Sequence, residues 1–216
     1  MTVGVAIYKT LKKQKIKDLK GYSFFAGHSL GEYTSLICSN SLTLKDGAKI
    51  LKERGKSMQE AVPVNVGAMA AVLGAEVDLI NEVINKNKSS EGVAEISNDN
   101  CPGQIVISGN KDKINKIVDD LKSNYSKKVI LLPVSAPFHC SLMQPSADKM
   151  NQILIQTNFS QPVINIVSNV TAKTIDNFKE IPSLLTKQIT HHVRWRESVD
   201  FMSKNGVKHF IEIGPG

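Results

Sequence analysis

Apolar residues recur at helical spacing in several stretches of the chain, and short apolar runs separate these stretches. The spacing predicts helices over residues 3–19, 32–38, 41–61, 140–157, 181–189 and 196–204. The apolar runs predict strands over residues 22–26, 163–167 and 208–213. Because strands that alternate with helices pair mostly in parallel, this order predicts an α/β core with a mostly parallel sheet.

Residues 63–134 follow a different order, in which two strands come one after the other without a helix between them. The predicted elements are, in turn, strand 64–73, helix 76–87, strand 92–96, strand 104–108, helix 113–125 and strand 129–134. The segment 98–103, Asn-Asp-Asn-Cys-Pro-Gly, has the composition of a turn between the two middle strands. This is the split βαβ pattern, so we expect a ferredoxin-like subdomain over residues 63–134, inserted into a core of residues 1–62 and 135–216.

The size and composition are those of a globular domain outside the membrane. The chain has 216 residues, and no apolar run approaches the length that spans a bilayer. The N-terminus lacks the pattern of a secretory signal, because lysines follow its apolar stretch and do not precede it. We therefore expect the cytoplasm, or an organelle matrix if a targeting segment is missing from this sequence.

Cysteine and histidine usage argues against disulfides and against a metal centre. The three cysteines, Cys38, Cys101 and Cys140, are odd in number and widely spaced, so they match neither a disulfide framework nor a zinc site. The pair His191-His192 has no cysteine or acidic ligand at metal-binding spacing. We expect no metal, and a reducing compartment.

The chain is basic, with 27 lysines and arginines against 20 acidic residues and a net charge of +7. The lysines are scattered, with one mild cluster at Lys9, Lys12, Lys13, Lys15, Lys17 and Lys20. Aromatic residues are not interleaved with this cluster as they are in proteins that bind single-stranded nucleic acid. The cluster therefore predicts a solvated helix face, and the charge favours an acidic protein partner over nucleic acid.

The segment Gly27-His28-Ser29-Leu30-Gly31 lies between a predicted strand and a predicted helix. A G-x-S-x-G sequence in that position is the nucleophile-elbow arrangement, in which a sharp turn exposes the serine hydroxyl. The helix that follows points unpaired N–H groups at any oxyanion formed beside the hydroxyl. The alternative is a glycine-rich turn in which Ser29 caps the helix.

A serine hydroxyl needs a base to become a nucleophile, and histidine is the usual one. The candidates are His28, His139, His191, His192 and His209. His28 is adjacent to Ser29 on a tight turn and projects differently, and His209 has apolar neighbours that suggest a structural role. His139 follows a predicted strand, where α/β sheets present functional side chains, although a histidine that caps a loop fits that position too. The chain order of ordinary hydrolases, Ser…Asp…His, could also be imposed on Asp176 with His191 or His192, but a dyad needs no acidic third residue.

Six short motifs follow one another in order along the chain. They are Gly27-His28-Ser29-Leu30-Gly31-Glu32-Tyr33, Arg54-Gly55, Asn100-Cys101-Pro102-Gly103-Gln104, Pro137-Phe138-His139-Cys140, Val193-Arg194-Trp195 and Glu212-Ile213-Gly214-Pro215-Gly216. Each alone is weak evidence, but the ordered set resembles the malonyl-CoA:acyl-carrier-protein transacylases over residues 3–216. The resemblance implies an α/β-hydrolase-like core with a ferredoxin-like insert, and transfer of a malonyl group to acyl carrier protein.

The resemblance also implies a serine–histidine dyad. Ser29 then carries the malonyl group, and His139 is its base. The second ring nitrogen of His139 is expected to bond the backbone carbonyl of Gln188, which fixes the ring without an acidic third residue. The main-chain N–H of Leu30 is expected to bind the oxyanion, and His28 to line the pocket.

Two further residues match positions that select the acyl group in the family. Arg54 resembles the arginine that binds the malonyl carboxylate, a task that suits a planar guanidinium, whereas sequence alone favours a solvated arginine on a helix face. Phe138 is similar to a bulky ring that leaves little room for branched acyl groups. The resemblance implies malonyl-CoA as substrate, no cofactor and acyl carrier protein as partner, and we expect a monomer.

The resemblance is incomplete at both ends of the chain. Family members open with a strand and a Gly-Gln-Gly loop whose glutamine contributes to the oxyanion hole, and they continue into a last helix. Neither feature occurs in this sequence, so we expect a truncated chain. Three functions stay open: malonyl transfer, hydrolysis of small esters by the same serine, and an inactive remnant that binds a partner without chemistry.

Overall fold

Helices and strands alternate along the chain. The computed structural model describes residues 1–14, 21, 23–88 and 91–215. Its helices are α1 (Thr2–Lys13), α2 (Leu30–Cys38), α3 (Leu44–Glu60), α4 (Val77–Lys86), α5 (Lys111–Tyr125), α6 (Gln144–Leu154), α7 (Ile181–Thr190) and α8 (Trp195–Lys204). Its strands are β1 (Phe24–Phe25), β2 (Gly67–Leu73), β3 (Ala94–Cys101), β4 (Gln104–Asn110), β5 (Lys128–Leu131), β6 (Asn165–Ile166) and β7 (Val193–Arg194). The α/β class is confirmed.

The larger sheet has five strands in the order β5-β2-β4-β3-β7. β2 pairs antiparallel with β4 and β5, and β3 pairs antiparallel with β4. Apolar side chains of α4 and α5 pack on this sheet and form one core, which includes Ile80, Ile107, Ile114 and Leu121. β7 pairs parallel with β3 and leads directly into α8, so it joins this sheet to the rest of the molecule.

A second core lies among α2, α3, α6 and α7. Its fully buried side chains include Tyr33, Ile50, Met150 and Leu185. Beside it, β1 and β6 form a short parallel pair in which Phe25 is opposite Ile166. Because the chain passes from β1 into α2 through the glycine-rich turn, this pair sets the position of Ser29.

The sheet content of the described residues is mixed. The mostly parallel sheet is predicted only for the core outside residues 63–134, and there β1 and β6 form a parallel pair. The two parallel pairs, β1–β6 and β3–β7, are two residues long each, whereas the longer ladders are all antiparallel. The reason is that the long strands lie within residues 67–131. There β4 runs between β2 and β3 in the opposite direction to both, so each long ladder is antiparallel.

β3 extends through the segment that its composition predicts to be a turn. It spans Ala94–Cys101, and the turn before β4 shrinks to Pro102 and Gly103, of which Gly103 has a φ of 74°. Two register shifts in the ladder between β3 and β4 accommodate the polar stretch. Pairing with β4 and β7 therefore overrides the local preference of asparagine and aspartate for turns.

The last predicted strand, residues 208–213, is not a strand in the structure. A strand is defined by hydrogen bonds to a neighbour, and in the described part of the chain no ladder includes these residues. Phe210 and Ile211 are about half exposed. His209, which we expected to be structural, is exposed as well.

Several helix ends differ from the prediction. α3 begins at Leu44 and not at residue 41, because Thr43 is its N-cap and accepts a hydrogen bond from the N–H of Asp46 at 3.0 Å. α1 ends at Lys13. Residues 15–19 of the predicted first helix lie outside the described residues, as do Lys20, Tyr22 and Gly216. Among the described helices, none combines the length and the apolar character that crossing a membrane requires.

Candidate active site

The turn between β1 and α2 places Ser29 in a strained conformation. Ser29 has φ 51° and ψ −102°, a region that L-residues rarely occupy. The turn is so tight that a Cβ on Gly27 would lie 2.0 Å from the carbonyl carbon of Gly31, so only glycine fits there. Although Ser29 occupies the N-cap position of α2, its side chain makes no capping hydrogen bond. The capping interpretation is therefore wrong, and the hydroxyl is directed elsewhere.

The hydroxyl of Ser29 meets the ring of His139. Oγ of Ser29 lies 2.9 Å from Nε2 of His139, and Nδ1 of His139 lies 2.8 Å from the backbone oxygen of Gln188. Because the carbonyl only accepts, Nδ1 carries the proton and Nε2 presents its lone pair to the hydroxyl. Burial, and then the nearby charge of Arg54, lower the pKa of His139 to about 3, so the ring is neutral near pH 7.

Arg54 reaches the same hydroxyl from α3. Its Nη2 donates to Oγ of Ser29 at 2.9 Å and to Oε1 of Gln188 at 3.0 Å. The guanidinium lies over the ring of Tyr33, 5.6 Å from its centroid, and the residue is only 7% exposed. Arg54 is therefore not a solvated arginine on a helix face. Its Nε has no hydrogen-bond partner among the described residues.

Gln188 bonds several of the groups around Ser29 and is completely buried. Its backbone oxygen bonds His139 and its Oε1 accepts from Arg54, as above. Its Nε2 donates to the backbone oxygen of Ser29 at 3.1 Å and to Oε2 of Glu32 at 2.6 Å. Only the backbone of Gln188 is predicted from the sequence, in which no signal points to its side chain.

Two other residues at the site escaped the sequence analysis. Asn169 accepts from the N–H of Ser29 at 2.7 Å and donates to the backbone oxygen of Gly27 at 2.8 Å, so it fastens both sides of the turn. Glu32 is 1% exposed, and Asn169 also donates to it, through its backbone N–H at 3.3 Å. Burial raises the pKa of Glu32 to about 7, against the opposing effect of the hydrogen bonds from Gln188 and Asn169. Glu32 belongs to the Gly-His-Ser-Leu-Gly-Glu motif, which was the available signal.

His28 does not bond Ser29 but faces the larger sheet. Its Nε2 lies 3.0 Å from Oδ1 of Asn100, and its ring meets that of Trp195 edge-on at 5.7 Å between centroids. Partial desolvation lowers its pKa, and the contact with Asn100 opposes this effect. The structure therefore keeps His28 beside the elbow, away from the proton-transfer position.

Leu30 and Phe138 complete the predicted set. Leu30 is the first residue of α2, so its N–H is one of those that the helix leaves without a backbone acceptor. Phe138 precedes His139 and is half-buried against the second core, the one between α2 and α7. Ser29, His139, Arg54 and Gln188 are thus joined directly by hydrogen bonds, whereas His28, Leu30 and Phe138 flank them.

The strand that carries Asn100, β3, is bound to α8 by an ion pair between Asp99 and Arg196. Asp99 is 3% exposed and accepts hydrogen bonds from Nε and Nη2 of Arg196, at 3.0 and 2.7 Å to Oδ2. Arg196 directly follows Trp195 on α8. A cavity of about 640 Å³ lies beside this ion pair and is lined among others by Glu95, His191 and His192, not by the groups around Ser29.

Comparison with known proteins agrees with this geometry. Residues 3–215 match the family described as the acyl transferase domain. The chain belongs to this family. The chain is 38% identical to the malonyl CoA-acyl carrier protein transacylase of Escherichia coli K12, over all of its own length and 69% of that relative. The predicted resemblance is therefore confirmed.

The chain also superposes on solved structures of malonyl transferases. It superposes with a TM-score of 0.93 on an acyl-carrier-protein-S-malonyltransferase from Bartonella henselae, at 39% identity over 99% of this chain and 68% of that one. It superposes with a TM-score of 0.94 on a malonyl-transacylase in complex with a type II PKS acyl-carrier protein, at 36% identity over 99% of this chain and 68% of that one.

Proposed function

We propose that this acyl transferase moves a malonyl group from malonyl-CoA to the phosphopantetheine thiol of acyl carrier protein. The observation that carries the proposal is the position of Ser29 Oγ, which is bonded to a neutral imidazole on one side and to a buried guanidinium on the other. The imidazole suits proton transfer, and the guanidinium suits an acyl group that ends in a carboxylate.

In the first half-reaction, Oγ of Ser29 attacks the thioester carbon of malonyl-CoA while Nε2 of His139 takes its proton. The tetrahedral oxyanion is stabilised by the main-chain N–H of Leu30 at the start of α2. The carbon–sulfur bond then breaks, and His139 gives the proton to the CoA sulfur. The carbonyl of Gln188 serves here as an acidic residue does in a triad, because it fixes the protonated Nδ1.

Arg54 provides the selectivity for malonyl. Its Nη2 lies within hydrogen-bond distance of the oxygen that becomes acylated, so an acyl chain on Ser29 begins beside the guanidinium. A carboxylate on that chain replaces part of the contact with Ser29 and pairs with a planar group that offers two parallel donors. Acetyl has no carboxylate and gains nothing from Arg54. His28 and Phe138 are proposed to line the pocket around this acyl group.

In the second half-reaction, the thiol of the carrier protein attacks the malonyl-serine. His139 takes the thiol proton, the ester bond to Ser29 breaks, and the proton returns to Oγ. The net charge of +7 favours docking of an acidic carrier protein, and one of the superposed relatives is described as a complex with such a carrier. No cofactor and no metal take part in these steps.

For the architecture, we propose a ferredoxin-like unit over residues 63–134 on an α/β-hydrolase-like core of residues 1–62 and 135–216. Its support is the strand order β5-β2-β4-β3 with α4 and α5 packed on the sheet, together with the strand–turn–helix around Ser29. We further propose a monomer in the cytoplasm or another reducing compartment, which fits the unpaired thiols of Cys38, Cys101 and Cys140.

The test is a product assay with the purified protein, malonyl-CoA and phosphopantetheinylated acyl carrier protein. We expect the mass of the carrier protein to increase by one malonyl group, and we expect no increase with Ser29→Ala. Release of free malonate at the same rate with and without the carrier would identify an esterase. Binding of the carrier protein without either product would identify an inactive remnant.

A further inference from the structure

The carboxyl group of Glu32 lies directly behind the catalytic elbow, in the first turn of α2. Its Oε2 accepts hydrogen bonds from Nε2 of Gln188 and from the backbone N–H of Asn169. Its Oε1 has no hydrogen-bond partner among the described residues. Glu32 therefore touches the two residues that hold Ser29 in place, but it touches no reacting atom.

Glu32 fixes the direction of the Gln188 amide. A carboxylate only accepts hydrogen bonds, as does the backbone oxygen of Ser29, so both require Nε2 of Gln188. Oε1 is then left to face Nη2 of Arg54, which only donates. If the amide turned around, an NH₂ group would face a guanidinium and an oxygen would face a carboxylate. The position of Arg54 beside Ser29 thus depends on Glu32 through Gln188.

Glu32 also balances the charge of Arg54. Within the described part of the chain, no carboxylate lies within 4 Å of the Arg54 guanidinium, although this residue is buried. Glu32 is separated from Arg54 only by Gln188, which bonds both residues, and its carboxylate is attracted to the charge of Arg54. A malonyl carboxylate at Arg54 brings a second negative charge to a site that holds one positive charge.

We propose that Glu32 is a positioning residue that orients Arg54 through Gln188, and that it takes up a proton from solvent when a malonyl carboxylate pairs with Arg54. This inference rests on the proposed function, because it assigns a carboxylated acyl group to Arg54. It deepens that function by adding a charge exchange, in which the substrate carboxylate takes over the balancing of Arg54 from Glu32.

The groups around Glu32 allow this exchange. The charged group that acts on Glu32 is Arg54 from α3, and its titratable neighbour is Tyr33 on α2. The segment after β6 and α7 offer the uncharged Ser168, Asn169 and Gln188, and the backbone of Gln188 in turn bonds His139. Tyr33 has its pKa raised to about 12 by burial, and His139 has its pKa lowered to about 3. Glu32, with its pKa near 7, is thus the group among these that changes its charge near neutral pH.

The kinetic test is the pH dependence of the acylation half-reaction, measured as CoA release in a single turnover. With malonyl-CoA, we expect KM to rise with pH above 7 while the acylation rate constant changes little. The rise is about tenfold for each unit by which the substrate raises the pKa of Glu32. With acetyl-CoA, we expect no such rise, because no carboxylate reaches Arg54.

The variants separate charge from hydrogen bonding. Glu32→Gln keeps an oxygen for Nε2 of Gln188 but has no charge, so we expect the KM for malonyl-CoA to become independent of pH. Glu32→Leu removes the acceptor too, and we expect it to lower kcat/KM more for malonyl-CoA than for acetyl-CoA. The matched control is Glu60→Gln, an exposed carboxylate on α3 whose loss should leave the pH profile unchanged. A profile that is the same in wild type and Glu32→Gln would overturn the proposal.

Infrared spectroscopy tests the protonation of Glu32 without an activity assay. We expect infrared difference spectra of the free protein to show a protonated carboxyl band that appears as the pH falls through about 7 and is missing in Glu32→Gln. Addition of malonyl-CoA at pH 8 should increase this band in the wild type. If the wild type transfers no malonyl, the proposed function fails. If it transfers malonyl and the band neither titrates nor responds to substrate, only the role of Glu32 fails.

Discussion

Ser29 and His139, whose side chains meet at 2.9 Å, both have positive φ angles, 51° and 58°. Positive φ is uncommon for residues that carry a Cβ, and a strained backbone conformation costs on the order of 1–3 kcal/mol. The two strained residues belong to segments that are 110 positions apart in the chain. Both residues of this hydrogen bond have strained backbones. The fold is therefore less stable at Ser29 and His139 than it would be with relaxed backbones, and the two side chains are brought into contact there.

The first prediction concerns this strain. We expect Ser29→Gly to unfold with a free energy about 1 kcal/mol higher than Ser29→Ala, because glycine adopts the required φ without a Cβ penalty. Both variants lose the hydroxyl, so the difference isolates the backbone. Urea unfolding of the two proteins measures it, and equal stabilities would show that Ser29 is not strained in solution.

The second prediction concerns pH. Because the pKa of His139 is lowered to about 3 in the folded protein, we expect the rate constant of acylation to stay flat from pH 8 down to about 5. The same shift makes stability depend on pH. The unfolded state binds the proton near pH 6.5 and the folded state does so only near 3, so stability is present above 6.5 and is lost as the pH falls toward 3.

A variant without the His139 ring tests whether this residue causes the loss of stability at low pH. His139→Asn has no titrating ring, and we expect its unfolding free energy to fall less between pH 7 and pH 5 than that of the wild type. Urea unfolding at the two pH values provides the comparison. An equal fall in both proteins would assign the acid sensitivity to other groups.

The third prediction concerns Arg54. We expect Arg54→Ala to lower kcat/KM for malonyl-CoA by about 100-fold, since a buried hydrogen bond from a charged group is worth about 1.5–3 kcal/mol. We expect acetyl-CoA to be affected much less. Arg54→Lys restores the charge but not the paired donors, so it should recover only part of the loss. Rates of CoA release with the two substrates check this, and an equal loss for both would show that Arg54 does not recognise the carboxylate.

The fourth prediction concerns the ion pair between Asp99 and Arg196. The neighbours of Asp99 on β3 include Asn100, which bonds His28, so loosening the pair displaces one wall of the site. We expect Asp99→Asn to raise KM for malonyl-CoA about fivefold with a smaller change in kcat, which corresponds to about 1 kcal/mol. Glu197→Gln is the control, because Glu197 pairs with Arg194 at the start of the same helix and makes no bond to β3. A matching effect in the control would contradict the assignment.

Much of the elbow follows from local sequence, because a G-x-S-x-G segment stands between an apolar run and a helical pattern. Of its two glycines, Gly27 is the one whose place no side chain could take. The full extent of β3 was harder to predict. The polar segment 98–103 favours a turn by composition, and it becomes part of β3 only through pairing with β4 and β7. Local propensity does not contain such tertiary pairing.

Some of the residues around Ser29 could be predicted from the sequence and others could not. Ser29, His139 and Arg54 stand in motifs that could be recognised in the sequence. The side chains of Gln188 and Asn169 could not be predicted, because their hydrogen bonds join residues more than 130 positions apart. Their chemistry depends on the folded chain, and an amide in a helix or loop carries no distinctive pattern.

The central claim is that Ser29 becomes covalently malonylated with His139 as its base. The most direct measurement is the intact mass of the protein after brief exposure to malonyl-CoA, followed by peptide mapping. We expect an increase of one malonyl group on the peptide that contains Ser29, no adduct in Ser29→Ala, and strongly slowed formation in His139→Ala. An adduct that persists in Ser29→Ala, or that maps to another residue, would contradict it.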